Sequence, residues 1–350
     1  MKLFNRIEKL SQIGLTESGI SRVSGSPEDL EARNLVVSWM MEAGMSVRQD
    51  EFANIIGRLD GEGPPIVIGS HIDTVSTAGK YDGVLGVLAG IEAAEQLKGK
   101  IKSPLEVCIF TDEEVTMSGS IGYTESNPEI KAFLELHVEQ GPVLDCQQMD
   151  IGIVQGIVGQ RRNEITIHGK ENHAGTTPMS MRDDALVKAA KVVQYVNEKA
   201  LDCDGLVATV GRLDVRPNAF SVVPGEVDFT LQVRDLDADK MDAFVEDVCT
   251  KFDLVASSTY TSEPAPCSER IQGTIESCCR ERGLKSIRMP SRASHDAQNF
   301  TFCPMGMIFV PSVGGVSHSP KEFTSEEQCY NGTAVLIGVI REIDCWTPKS

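Results

Sequence analysis

Apolar positions fall into three patterns along this chain. Near the N-terminus Leu3, Phe4, Ile7 and Leu10 recur at helical spacing with charges between them. A second helix is predicted from Ser26-Pro27-Glu28 onward, with Leu35, Val36, Trp39 and Met40 turned inward. Ile66-Val67-Ile68 is instead a short unbroken apolar run between Pro64-Pro65 and Gly69, the mark of a strand covered on both faces. Residues 84–97 then read as a helix with a broad apolar side (Val84, Leu85, Val87, Leu88, Ile91, Ala94, Leu97), and Leu105 to Phe110 as the next strand. Strand, helix, strand at this spacing predicts a βαβ unit. Met307-Ile308-Phe309-Val310 predicts another covered strand, and Ala334 to Ile343 a closing helix.

The middle of the chain is patterned differently. Asn163 to His168 alternates like a half-exposed strand, and residues 183–199 read as a helix. Leu206 to Gly211 and Val227 to Arg234 read as strands, Ala238 to Thr250 as a helix and Phe252 to Thr259 as a last strand. The order βαββαβ is the ferredoxin-like arrangement. The expected fold is therefore α/β. Residues 1–159 and 263–350 would form a mostly parallel-sheet domain with helices on both faces, the part that carries the candidate chemistry. Residues 160–262 would form an inserted ferredoxin-like α/β lid, a module whose sheet edges and helical face lend themselves to dimerisation. Hinges would lie near Gly156–Gly159 and Glu263–Pro266.

Charge and composition narrow the function. Lys and Arg total 33 against 51 Asp and Glu, a net charge of −18, which argues against nucleic acid or an anionic membrane as the partner. No apolar run approaches the ~20 residues of a membrane span. The charge-interrupted start does not read as a signal peptide. Ten cysteines are scattered without a CxxC pair, although Cys278 and Cys279 are adjacent, and this reads as reduced, mostly buried thiols in a cytoplasmic protein.

The candidate chemistry gathers around histidines. The chain has six, and four of them stand beside carboxylates or glycines just past predicted strands or in turns. Open α/β sheets build their sites at the carboxyl ends of strands. His71 leaves a covered strand with Asp73 two residues on, where a carboxylate can hold the ring's other nitrogen; a plain surface turn has the same composition. Asp82, in Lys80-Tyr81-Asp82-Gly83, occupies a helix start and would serve as an N-cap on its own. Asp112-Glu113-Glu114 puts three acids at a strand end, either a solvated loop or a metal ligand beside a general base. His137 sits amid acids in Glu135-Leu136-His137-Val138-Glu139-Gln140-Gly141-Pro142, and His318 in the small-residue turn Gly314-Gly315-Val316-Ser317-His318-Ser319-Pro320. Three imidazoles with several carboxylates make a mixed N/O set of the kind divalent cations take. His168 reads as an exposed strand-end residue, His295 as structural or supporting, and Arg292 as either an anion contact or a surface ion pair.

Taken in order, Gly-Ser-His-Ile-Asp-Thr-Val, Lys-Tyr-Asp-Gly-Val-Leu-Gly-Val, Phe-Thr-Asp-Glu-Glu, Glu-Leu-His-Val-Glu-Gln-Gly-Pro-Val-Leu, His-Ala-Gly-Thr-Thr-Pro-Met, Val-Val-Pro-Gly-Glu-Val, Ser-His-Asp-Ala-Gln and Met-Ile-Phe-Val-Pro-Ser lie between Gly69 and Ser312, within a resemblance that runs from about Arg22 to Pro320. This resembles the M20 metallopeptidase-like amidohydrolases, and within them the branch of N-carbamoyl-L-amino-acid hydrolases, β-ureidopropionase and allantoate amidohydrolase. The resemblance implies two divalent ions per subunit (Zn²⁺, Mn²⁺, Co²⁺ or Ni²⁺) bridged by Asp82. His71 and His137 would complete one ion's shell and Glu114 and His318 the other's. Glu113 would be general base and acid for a metal-bound hydroxide, and Asp73 would orient His71. His173 would reach the substrate carbonyl, in this family often across a dimer. Gln140, Arg234 and Ser221 would contact the substrate, Arg234 through its carboxylate. Four positive charges on two ions against Asp82, Glu114 and a hydroxide leave one positive charge, which favours an anionic substrate.

The resemblance also shows two departures. The Glu114–His137 stretch is shorter than in relatives, and Ser221 stands where they usually carry an asparagine, with Asn218 nearby. The implied activity is hydrolysis of a carbamoyl or ureido C–N bond in a small carboxylate-bearing molecule. The alternatives are an aminoacylase or dipeptidase on the same centre and a non-catalytic metal-binding dimer.

Overall fold

The protein is described by a computed structural model covering residues 2–127 and 129–346. It divides into two compact units, one formed by Met1–Ile157 with Pro266–Ser350 and the other by Val158–Ala265.

In the first unit, the apolar runs become the middle of a mixed sheet. Its order is Ile151–Ile157, Met305–Val310, Ala132–Val138, Ile66–His71, Leu105–Phe110, Ile55–Leu59, Ser46–Gln49. The four strands from Met305–Val310 to Leu105–Phe110 run parallel, and every residue in them is buried. Antiparallel strands flank them on each side, and Ser286–Ser291 adds outside Ile151–Ile157 in parallel. Strands covered on both faces need no polar alternation, which is why these segments read as unbroken apolar runs. His71 lies opposite Phe110, and Phe309 opposite His137, so the parallel strands end nearly level.

The helix Val84–Leu97 buries nearly all its side chains against Ile66–His71 and Ala132–Val138. Pro27–Glu42 begins as the sequence predicts: the Ser26 hydroxyl accepts the Asp29 N–H at 3.1 Å, with Pro27 in the first turn. The closing helix begins earlier than its apolar pattern suggests. It spans Glu326–Asp344, and Ser325 and Gln328 cap each other reciprocally. Its first turn is polar and invisible to an apolar count.

In the second unit the order is strand, helix, strand, strand, helix, strand. The antiparallel sheet runs Val207–Arg216, Glu226–Asp235, Gly159–His168, Ala256–Ser262. Val227, Phe229, Leu231 and Val233 alternate into a core with Ala189 and Val192 of Ala185–Leu201 and Phe244 and Val248 of Ala238–Phe252. The strand expected from Phe252 starts at Ala256 instead, because Phe252 ends the helix and Asp253 turns the chain with φ 53°. The strand expected over 206–211 runs on to Arg216.

No helix among the described residues is long and apolar enough to cross a membrane. All ten cysteines are free; five are buried, and Cys146 and Cys345 are exposed.

Candidate metal centre

The level ends of the parallel strands bring distant residues together. His71 is the last residue of Ile66–His71, and His137 the last but one of Ala132–Val138. Glu113 and Glu114 follow Leu105–Phe110, and His318 lies in the loop beyond Met305–Val310. Asp82 enters just before Val84–Leu97. Gly83 makes this entry possible: its φ is 65°, and a Cβ there would stand 2.5 Å from the His71 ring. Asp112, Gln140 and His318 also have left-handed φ values of 61°, 60° and 50°. Three non-glycine residues in that region mark corners the surrounding structure holds in place.

The histidines are oriented by backbone carbonyls. His71 Nδ1 lies 2.9 Å from the Asp73 carbonyl, and His137 Nδ1 lies 2.8 Å from that of Val138. A carbonyl only accepts, so both Nδ1 atoms carry a proton and both Nε2 atoms are turned toward Asp82, that of His137 lying also 3.1 Å from the Gly83 N. The carboxylate of Asp73 was expected to orient His71. Its Oδ1 is 3.8 Å from the ring nitrogen, and its Oδ2 instead accepts the Glu114 N–H at 3.4 Å, bracing the turn that carries Glu114.

Three imidazoles and an amide converge on Asp82. His137 Nε2 is 3.1 Å and His71 Nε2 3.7 Å from Oδ1, while His318 Nε2 is 3.3 Å from Oδ2. Gln140 Nε2 donates to Oδ2 at 2.9 Å, so this expected substrate contact is engaged with Asp82. Its amide oxygen, among the described residues, has no hydrogen-bond partner. Glu114 Oε2 is 3.6 Å from His318 Nε2, and Glu113 Oε2 is 3.5 Å from His71 Nε2. The cleft they line holds about 180 Å³ and is completed by Met117, Ala293, Ser294 and His295.

Such a gathering of electron pairs demands positive charge. Burial lowers the His71 and His137 pKa values, but the surrounding acids outweigh it: Glu113 and Asp82 hold His71 well above the usual range, and Asp82 raises His137 to about 9. Burial works against the charge on Asp82, yet its bonds to His137, His318 and His71 hold it well below the usual carboxylate range. Burial pushes Glu113 up to about 7; His71 opposes this and Glu135 and Glu114 reinforce it. Among the described residues three donor triads occur: His71–Asp82–His137 and Asp82–Glu114–His318 share Asp82, and Glu135–His137–His295 shares His137 with the first. Each Nε2 can stand this near the Asp82 carboxylate only with a proton or a cation between them. The set thus fits a borderline divalent cation by donor chemistry.

Sequence reasoning missed part of the surround. Buried Glu135 accepts the Ser70 hydroxyl and the Ala297 N–H, each at 3.0 Å. It was visible only as one more acid near His137. His295 is fully buried with its ring 4.5 Å from that of His137, and burial and then His137 push its pKa well down, leaving a neutral ring on the cleft wall. Glu322 carried no motif signal.

His173, Ser221 and Arg234 belong to the second unit. Asn172–His173 pairs with Val222–Val223, and the Ala174 N–H donates to the Ser221 carbonyl at 2.8 Å, so His173 and Ser221 are neighbours on one exposed ribbon. His173 Nδ1 accepts the Gly175 and Thr176 N–H groups at 3.0 and 3.2 Å, which leaves Nε2 as the proton-bearing atom. Arg234 is half-buried, and burial followed by neighbouring Arg162 lowers its pKa. His168 is exposed, 3.3 Å from Glu226.

Comparison with known proteins gives a consistent set of relatives. Residues 67–342 match peptidase family M20/M25/M40. The chain is 34% identical to the N-carbamoyl-L-amino acid amidohydrolase of Geobacillus stearothermophilus over 400 residues, covering 98% of each. It is 34% identical to the allantoate amidohydrolase of Bacillus subtilis (strain 168), covering 96% of each. A solved amidase of the hydantoinase/carbamoylase family from Burkholderia multivorans superposes with a TM-score of 0.89 at 30% identity, covering 99% of this chain and 98% of that one. The alignment with the Geobacillus enzyme is longer than this 350-residue chain, so at least 50 positions of that alignment have no counterpart here.

Proposed function

This chain belongs to peptidase family M20/M25/M40, and we propose that within it the protein is a metal-dependent amidohydrolase cleaving the carbamoyl or ureido C–N bond of a small carboxylate-bearing molecule. The observation that carries this reading is the convergence of three imidazoles on Asp82, with Glu114 against His318 and Glu113 against His71. His71, Asp82 and His137 would hold one divalent ion, and Asp82, Glu114 and His318 a second. Zn²⁺, Mn²⁺, Co²⁺ and Ni²⁺ all suit these donors. Such ions supply charge that polarises a carbonyl and acidifies water.

The rest is the work of side chains. Glu113, brought to about 7 by burial, is suited to take a proton from the attacking water and return it to the departing nitrogen as the C–N bond breaks. His173 Nε2–H would donate to the oxygen on which negative charge develops. Arg234 would bind the substrate carboxylate, with Ser221 and the free amide oxygen of Gln140 completing the contacts. A cleft of about 180 Å³ suits an amino-acid-sized molecule. Val158–Ala265 would act as a lid and as the contact surface of a homodimer. The names of the relatives, one acting on N-carbamoyl-L-amino acids and one on allantoate, support the bond type.

The test is ammonia release from N-carbamoyl amino acids and allantoate after loading with each cation, with N-acyl amino acids alongside, their cleavage read as free amino acid because it releases no ammonia. Turnover of the carbamoyl or ureido compounds is expected. Turnover of N-acyl amino acids alone would reassign the enzyme as an aminoacylase, and metal-bound protein that turns over nothing would remove the catalytic reading.

A further inference from the structure

Glu322 lies outside all three donor triads, yet its side chain is buried beside them, with the residue 4% exposed. We propose that Glu322 is a positioning residue: its carboxylate ties the turn that delivers Asp82 to the loop that delivers His318, and so sets the donor spacing on which cation binding depends.

One carboxylate receives donors from both segments. Oε2 accepts the Tyr81 N–H at 3.0 Å and the Asp82 N–H at 3.3 Å. Oε1 lies 3.4 Å from the Ser317 hydroxyl, and that hydroxyl lies equally 3.4 Å from Asp82 Oδ2. Ser317 immediately precedes His318. The Glu322 N–H closes its own turn on the Ser319 carbonyl at 3.0 Å, so Glu322 is fixed to the His318 loop by main chain and to the Asp82 turn by side chain. Space for the carboxylate exists because residue 79 is glycine: a Cβ there would stand 2.3 Å from Glu322 Oε2 and 2.4 Å from its Cβ.

The placement is electrostatically adverse, since a second buried acid lies against Asp82. Oε2 takes both N–H groups of the Asp82 turn, and Oε1 faces the Ser317 hydroxyl, which can donate or accept. Asp82 is common to two of the triads, so a drift of its turn changes both at once. Partners that hold ligands in place typically govern metal affinity by about 10–100-fold.

The inference rests on the cation-binding reading of the cluster. It is tested with the full chain, stripped by chelator and titrated with Co²⁺ by absorbance and with Zn²⁺ by calorimetry, for wild type, Glu322→Ala, Glu322→Gln and Ser317→Ala. Thermal unfolding of each metal-free protein is measured in parallel. Glu322→Ala should bind about 10–100-fold more weakly than wild type while unfolding near the wild-type temperature. Glu322→Gln keeps an oxygen for the two N–H groups and should recover most of the loss. Equal affinity in wild type and Glu322→Ala would overturn the proposal, as would a loss that glutamine does not rescue. Should Glu322→Ala not fold, Ser317→Ala decides: weaker binding at unchanged unfolding temperature supports the tie, and wild-type binding overturns it. A wild type that binds neither cation would instead defeat the cation reading itself.

Discussion

At the residue scale, the cluster is a set of protons and charges held in a small volume, and two expected outcomes follow. Glu113→Gln keeps the shape of the side chain but removes its capacity to move a proton. Its kcat should fall about 10²–10⁴-fold, the usual range for a general acid–base group, with cation affinity near wild type. Colorimetric ammonia release with calorimetry on the same preparation checks both halves. The second outcome concerns pH. In the metal-free protein His71 and His137 titrate above their ordinary value, His137 at about 9. Groups raised in the folded state stabilise it fully below the unfolded value near 6.5, and that contribution disappears as pH rises through the folded value. Glu113, raised to about 7, acts in the same direction because its ionisation in place is costly. The chelated protein should therefore unfold at progressively lower temperature from pH 6 to pH 9. Added cation should stabilise it increasingly over the same window, since protons no longer compete for the imidazoles. Calorimetric scans across that range, with and without cation, measure the two slopes.

At the element scale, the site depends on where strands stop and helices begin. Gly83 is the tightest of these junctions. In Gly83→Ala the new methyl would stand 2.5 Å from the His71 ring, at a residue with φ 65°. Overpacking of this kind costs about 1–3 kcal/mol, and here the strain falls on a ligand. The variant should lose cation affinity beyond what its drop in unfolding temperature accounts for, and titration of the folded variant tests this. The elements differ in how legible they were. Ile66–His71 and Met305–Val310 announce themselves because both faces are covered, and so does Val84–Leu97 by its spacing. Ile55–Leu59 and Ile151–Ile157 carry glycines that break the pattern, and Ser286–Ser291 contains a proline; none was readable alone. The residues of the cleft could be named because each sits in a short motif at a strand end. Glu322 could not, because its partners are backbone N–H groups about 240 residues away, and a carboxylate that binds main chain leaves no pattern in the partner's sequence.

At the scale of the whole molecule, the two compact units carry separable parts of the proposed chemistry, and this gives the last prediction. All the expected cation donors, with Glu113 and Glu322, lie in Met1–Ile157 and Pro266–Ser350, whereas His173, Ser221 and Arg234 lie in Val158–Ala265. The second unit ends on one side in Val207–Arg216, a ten-residue strand paired only with Glu226–Asp235 among the described residues. An edge of that length offers its outer row of N–H and C=O groups to another chain. Val207 and Leu213 stand exposed along it, and Phe220 and Leu201 elsewhere on the same unit. The protein should scatter light at twice the 38.0 kDa of the chain. Leu213→Asp puts a charge on that edge and should shift the population toward monomer. The two activities should then part: cation affinity stays at the wild-type value because no donor is touched, and turnover falls if the substrate contacts of the second unit act across the pair. A variant that becomes monomeric and keeps full turnover would show that His173 serves its own chain. A wild type that scatters as a monomer would remove the dimer and leave the metal chemistry standing.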